Sequence, residues 1–190
     1  GPFALRGGVA YAWDRIPANR QVAFSRVSEH LSSDAAGNTL TGYIEGAWKI
    51  RTSAGDFEPY LNLAHVRLST DASSEAGGDA ALRVNSEREN VSFSTLGARG
   101  AWQFGNTELH GGLGWQHAFG DTTPQRTLQF MAGGGAFTVY GVPVAKNAAA
   151  VNLGAGWQLS RNVKLDASYN GQLASSVEDQ AAKLSLSVAF

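Results

Sequence analysis

The chain has 190 residues, a formal net charge of −1 and no cysteine. This length suits one domain, the missing cysteines exclude disulfides, thiolate metal sites and a thiol nucleophile, and the near-zero charge argues against nucleic-acid binding by counterion release. Glycine is high at 23, proline low at 5 and aromatics make up 10%, a mixture that favours sheet with tight turns over helix bundle or disorder. No run of about 18 apolar residues offers a transmembrane helix. No secretory signal opens the chain, which therefore reads as a piece of something longer or as exported by another route. Gly1-Pro2 reads as the scar of a cleaved tag, leaving 3–190 as the domain.

Phe3, Leu5, Gly7, Val9, Tyr11 and Trp13 alternate with Ala4, Arg6, Gly8, Ala10, Ala12 and Asp14, which predicts a strand with one apolar and one small or charged face. Residues 15–37 read as a long polar connection, with some strand extension near Val22 to Val27. Leu40, Gly42, Ile44, Gly46, Trp48 and Ile50 repeat the apolar face, and Ser53-Ala-Gly-Asp56 closes a hairpin. Over Phe57 to Leu68 the apolar residues fall on both parities, so the facing stays open. Residues 70–89 read as a second long loop.

The alternation returns over Ser94 to Phe104, turns at Gly105-Asn106 and runs back through Leu109, Gly111, Leu113, Trp115 and Phe119. Residues 120–146 form a third long connection, whose piece Ala136 to Val144 is either strand beyond the membrane or a loop over the barrel. Ala149 to Leu159 and Val163 to Gly171 make another hairpin about Ser160-Arg-Asn162, and a short loop near 174–180 leads to the closing strand, Ala181 to Phe190.

The pattern predicts an all-β fold, an antiparallel up-and-down transmembrane β-barrel of about eight strands, each about ten residues or more. Long and tight connections alternate, as they do between the outer and periplasmic ends of outer-membrane barrels. With Phe190 at the periplasmic end, the aromatics fall into two interfacial bands: Trp48, Trp102, Phe104, Trp157 and Phe190 below, and Tyr11, Trp13, Trp115, Phe119 and Tyr169 above. The other face carries small and amide residues with sparse charges of both signs, Arg6, Glu45, Lys49, Arg51, Arg99, Glu108, Lys164, Asp166 and Lys183, which suits a hydrated, ion-paired lumen.

The stretches Leu5-Arg-Gly-Gly-Val-Ala-Tyr-Ala-Trp13, Phe57-Glu-Pro-Tyr-Leu-Asn-Leu-Ala-His65, Phe93-Ser-Thr-Leu-Gly-Ala-Arg99 and Gly114-Trp-Gln-His-Ala-Phe-Gly-Asp121, with Phe137 to Val144 and the closing strand, resemble the C-terminal translocator (β-barrel) domain of autotransporters, the type V secretion systems of Gram-negative bacteria. The resemblance implies a parent barrel of twelve strands in the outer membrane, of which this chain matches the last eight. It implies as partners outer-membrane lipid, the barrel-assembly machinery, an exported N-terminal passenger and a linker helix in the lumen. In that family the final strand is the assembly signal; Leu184, Leu186, Val188 and Phe190 fit it, while Ser185 and Val188 replace a glycine and a second aromatic often found there.

A monomer that closes as a small barrel and transports nothing by itself is the expectation for this stretch. No enzyme, cofactor or nucleic-acid partner is expected: Gly-x-Ser-x-Gly is absent, and His110 and His117 share a strand on opposite parities. Two other readings stay open, a complete small outer-membrane barrel (adhesin or passive pore) and a soluble β-barrel holding a small apolar ligand.

Overall fold

The computed structural model describes every residue except 25–26, 121, 175–177 and 190. Phe190 therefore lies outside the described residues. In chain order the strands are β1 (Phe3–Phe24), β2 (Val27–Trp48), β3 (Ile50–Thr52), β4 (Gly55–Thr70), β5 (Ser73–Ser74), β6 (Leu82–Val84), β7 (Glu87–Phe104), β8 (Thr107–Gly120), β9 (Gln125–Phe130), β10 (Phe137–Tyr140), β11 (Asn147–Ser160), β12 (Val163–Leu173) and β13 (Glu178–Val188). Eight long strands make the main sheet in the order β1-β2-β4-β7-β8-β11-β12-β13, with β3 also paired to β4. Every pairing between them is antiparallel. The interruption between β2 and β3 at Lys49 has a local cause: Pro59 stands opposite Trp48 and has no N–H to give the ladder.

Register settles which way each strand faces. Glu45 opposes Arg6 on one side and Asn62 on the other, while Ile44 opposes Gly7 and Leu63. In β4, therefore, Phe57, Leu61 and Leu63 share the apolar face, and Glu58, Tyr60, Asn62 and Ala64 share the polar one. The two faces differ in burial in the opposite sense to a soluble sheet. Leu5 is 65% exposed, Val9 81% and Leu113 64%, whereas Glu45 is 7% and Thr95 9% exposed. Curvature shields the polar face and presents the apolar one outwards.

Two expectations are corrected here. First, β1 and β13 each pair on one side only, so among the described residues the sheet is a half-barrel with open edges and does not close as a small eight-stranded barrel. An eight-stranded interior is filled by its own side chains. Here Tyr43 points to the inner face and is still 47% exposed, so that face is not filled by its own side chains.

Second, the described residues of 15–37 are strand, not loop: β1 and β2 pair from Phe3↔Trp48 to Phe24↔Val27. Their 22 residues each are about twice what a bilayer crossing needs, so the far half is a hairpin that projects beyond the apolar band. Likewise β13 begins at Glu178 and β7 at Glu87, inside segments read as loops.

The projecting hairpin anchors a second sheet, β10-β9-β6-β5, built from the two long connections. An isolated bridge joins Ser32 to Ala76. Arg20 pairs with Glu75 at 2.6 Å and gives a further hydrogen bond to the Ala80 carbonyl, and the Glu29 carboxylate accepts from the backbone N–H groups of Asp79 and Ala80. Gly77 has φ = 123°, and a Cβ there would collide with the His30 carbonyl. Leu31, 2% exposed, and Ala81, 3% exposed, are the small apolar centre of this end. The segment Phe137–Tyr140, left between two readings from sequence, is a strand of this sheet, paired to β9.

Glu75 carries a pH dependence. Hydrogen bonds from the Arg20 guanidinium, and secondarily from the Leu82 N–H, hold its carboxyl below the usual carboxylate range, against the opposing effect of burial. A depressed folded pKa adds stability above the unfolded value, about 4.3, that is lost as pH falls through the folded one. Hydrogen exchange at Leu82 is expected to quicken on acidification below about pH 4 while the main sheet stays protected. Glu75→Gln should flatten that response, and unchanged exchange at low pH would count against it. Leu31→Ala is expected to loosen the same end by about 2–5 kcal/mol, read as new protease cleavage within 71–86.

Candidate functional site

The inner face gathers one charge cluster from four strands. Arg6 on β1 reaches Glu45 on β2 at 2.9 Å and Glu58 on β4 at 3.0 Å. Arg99 on β7 reaches the same two carboxylates at 2.6 and 2.5 Å. Each acid thus stands between two guanidiniums, and the four formal charges cancel. The alternation of strands places them: Arg6 opposes Glu45 in the β1–β2 ladder, and Glu58 opposes Arg99 in the β4–β7 ladder. Planar guanidinium forks suit this two-carboxylate bridging better than lysine would. Arg99 also lies over the Tyr60 ring, 4.7 Å from its centroid.

Small residues make room for these groups. A Cβ at Gly97 would come within 2.7 Å of the Tyr60 ring, and one at Gly112 within 3.3 Å of the Arg99 side chain. Gly97 and Gly112 are therefore packing requirements of the tyrosine and arginine that lie across them.

Of the other inward charges, Lys164 reaches Glu108 at 3.4 Å, both about half exposed. Asp166, Lys49, Arg51 and Lys183 lie on the same inner parity and make no ion pair among the described residues. Glu58 and Tyr60 are the members that sequence reasoning missed, because Pro59 and the mixed parity of 57–68 hid the facing of β4. One signal was available: Arg6, Lys49, Arg51 and Arg99 on the inner parity had Glu45 alone nearby to balance them.

On the outer face, the upper aromatics form local ladders. Tyr11 and Trp13 meet edge to face at 4.7 Å, and Trp115, His117 and Phe119 follow one another along β8 at centroid spacings of 5.7 and 4.6 Å. The Tyr169 hydroxyl leans over Gly171, towards the end with the long connections. Trp48, Trp102 and Phe104 are exposed near the tight-turn end, and Trp157 is half-buried there. Leu184, Leu186 and Val188 lie on the apolar parity of β13, all exposed.

The cluster holds no hydroxyl or thiol nucleophile set beside a base; what it can do is tie β1, β2, β4 and β7 together across the inner wall. Charge-assisted hydrogen bonds contribute about 1.5–3 kcal/mol each when shielded, less where the arginines are partly hydrated. Glu45→Gln leaves two guanidiniums sharing one carboxylate and is expected to lower the unfolding temperature more than Glu108→Gln does. A thermal melt showing equal loss for both would argue against the cluster as a structural tie.

The chain matches the family model of the autotransporter β-domain over residues 1–170. It is 32% and 33% identical over 194 residues to two proteins of Serratia marcescens, each named extracellular serine protease. Both alignments cover 100% of this chain and 19% of the relative, so the chain spans about a fifth of the length of the relatives it matches. It belongs to the autotransporter β-domain family.

Proposed function

We propose that this chain is part of an outer-membrane translocator and anchor in a Gram-negative cell, through which an N-terminal passenger reaches the surface. The observation that carries the reading is the inverted burial: Leu5, Val9, Leu96 and Leu113 on the outer parity are exposed, while Glu45 and Thr95 on the inner parity are buried. Lipid is the solvent in which that arrangement is favourable. The tight turns at 53–54, 105–106 and 161–162 then face the periplasm, and the projecting β1–β2 hairpin with the second sheet stands outside the cell. A soluble barrel with an apolar ligand would need the opposite facing.

The open edges of β1 and β13 fit a larger barrel completed by four further strands, as the family resemblance implies. Within it, the Arg6–Glu45–Arg99–Glu58 wall would border the passage used by passenger and linker helix. We infer no catalysis for this stretch; the proteolysis named for the Serratia relatives belongs, on this reading, to parts of those proteins outside the aligned region. Leu184, Leu186, Val188 and Phe190 would serve as the signal read by the barrel-assembly machinery, and the domain would act as a monomer in outer-membrane lipid.

Adjacent residues on β11 separate lipid from lumen. Leu153 is on the outer parity and Asn152 on the inner one, and both are exposed. Leu153→Arg should destabilise the inserted barrel by about 2–4 kcal/mol and deplete the protein from the outer-membrane fraction. Asn152→Arg should leave both insertion and heat-modifiable gel migration intact. Equal tolerance of the two would remove the membrane assignment.

A further inference from the structure

The outer face of β4 breaks its own rule. Beyond Leu61 and Leu63 the same parity carries His65 and Arg67, and the neighbouring parity of β7 carries Ser92, Asn90 and Arg88. His65 Nδ1 lies 2.9 Å from Ser92 Oγ, and Arg67 Nε donates to Asn90 Oδ1 at 3.0 Å. Those bonds fix both side chains flat on the outer surface, where His65, Arg67 and Arg88 are exposed. Among the described residues Arg67 spends only its Nε, which leaves both Nη groups on offer. Neither Arg67 nor Arg88 makes an ion pair among the described residues.

The depth of this patch gives its meaning. His65 and Arg67 follow Leu63 by two and four residues, about 7 and 13 Å along the strand. Tyr11 and Trp13 flank the patch on one side and Trp115, His117 and Phe119 on the other. Below it, Leu61, Leu63 and Leu96 are exposed and aliphatic. Among the described residues, the acids of the outer parity on the neighbouring strand ends, Asp34 and Asp71, stand farther from the aliphatic band. A basic pair immediately above an aliphatic strip, between two aromatic ladders, matches an amphiphile with an anionic head and acyl chains.

We propose that Arg67 and Arg88, with His65, form a binding site for the phosphate of a membrane lipid headgroup in the outer leaflet, its acyl chains lying along Leu61, Leu63 and Leu96. A guanidinium fork binds phosphate bidentately, as an ammonium cannot. The proposal rests on the outer-membrane reading, since it needs this end of the sheet to meet a leaflet of anionic lipid.

The test uses the full-length protein, purified in detergent and exchanged into phosphatidylglycerol or phosphatidylcholine, with retained lipid counted by native mass spectrometry. The wild type is expected to retain phosphatidylglycerol more strongly than phosphatidylcholine, whose phosphate is offset by its own choline cation. A basic side chain at an anionic lipid surface contributes about 1 kcal/mol, so Arg67→Ala and Arg88→Ala should each weaken retention about fivefold. Arg67→Lys should retain less than the wild type and more than Arg67→Ala. Heat-modifiable migration, unchanged in each variant, shows that the barrel still forms.

Equal retention by the wild type and a variant carrying both Arg67→Ala and Arg88→Ala overturns the site. Displacement of the lipid by millimolar inorganic phosphate also overturns it, in favour of a free-anion site. Failure of the wild type to require detergent at all is a different result and sinks the membrane reading instead.

Discussion

The backbone of a membrane-spanning sheet must satisfy its hydrogen bonds within the sheet, because hydrocarbon offers no partners. Once antiparallel pairing does this, alternate side chains are committed to two unlike surroundings. The rest of this structure follows from that commitment. Leu5, Val9, Leu96, Leu113 and Leu153 occupy one side of the pleat and are exposed. Glu45, Thr95, Ala47 and Ala118 occupy the other and are buried. The register leaves no freedom to mix the two sets, since a slip of one residue would send Glu45 to the outside and Ile44 to the inside.

The inner face has its own difficulty, which is how to keep charge within a narrow space. A lone carboxylate as shielded as Glu45 would be strongly unfavourable. Two arginines from strands on opposite sides of it, Arg6 and Arg99, remove that penalty, and Glu58 balances the second positive charge. Breaking such a set is more damaging than never having it, because what remains is an uncompensated buried charge. The cluster thus does for the inner wall what apolar packing does in a soluble core. It makes the relative placement of four strands specific without filling the space between them, and Tyr43 and Tyr60 stay at the edge of that space.

Most of this was legible in the sequence wherever the period was clean. The hairpins about Gly105-Asn106 and Ser160-Arg-Asn162, and the facing of β7, β8, β11, β12 and β13, follow directly from alternation. Two kinds of information were not local. Beyond the apolar band the outer parity of β1 and β2 turns polar (Arg15, Asn19, Gln21, Asp34) while the inner one carries both Arg20 and the buried Leu31, so the stretch loses its two-residue polarity and looks like loop although its described residues pair in one register. In β4, Val66 and Leu68 sit inward while Arg67 and His65 sit outward. The polarity rule reverses there, and only the register with β2 and β7 restores the order. Glu58 was hidden by the same reversal. Closure is a third case, because it depends on curvature summed over all strands, and no single stretch carries it.

The open edges set the last constraint. A strand of ten residues in hydrocarbon with one unpaired side leaves about five N–H and C=O groups unsatisfied, at several kcal/mol each. Two such edges amount to tens of kcal/mol, far above the 5–15 kcal/mol by which a folded domain is stable. β1 and β13 therefore cannot both meet lipid with their ladders exposed. Whatever strands join them must also respect parity: Leu5 and Val9 at one edge, and Leu184 and Leu186 at the other, already face outwards. An incoming strand has to bring its apolar residues to that same side at matching depth. The outward alternation of Leu184, Leu186 and Val188 thus bears on barrel closure, since it fixes the parity and depth at which this edge can be joined.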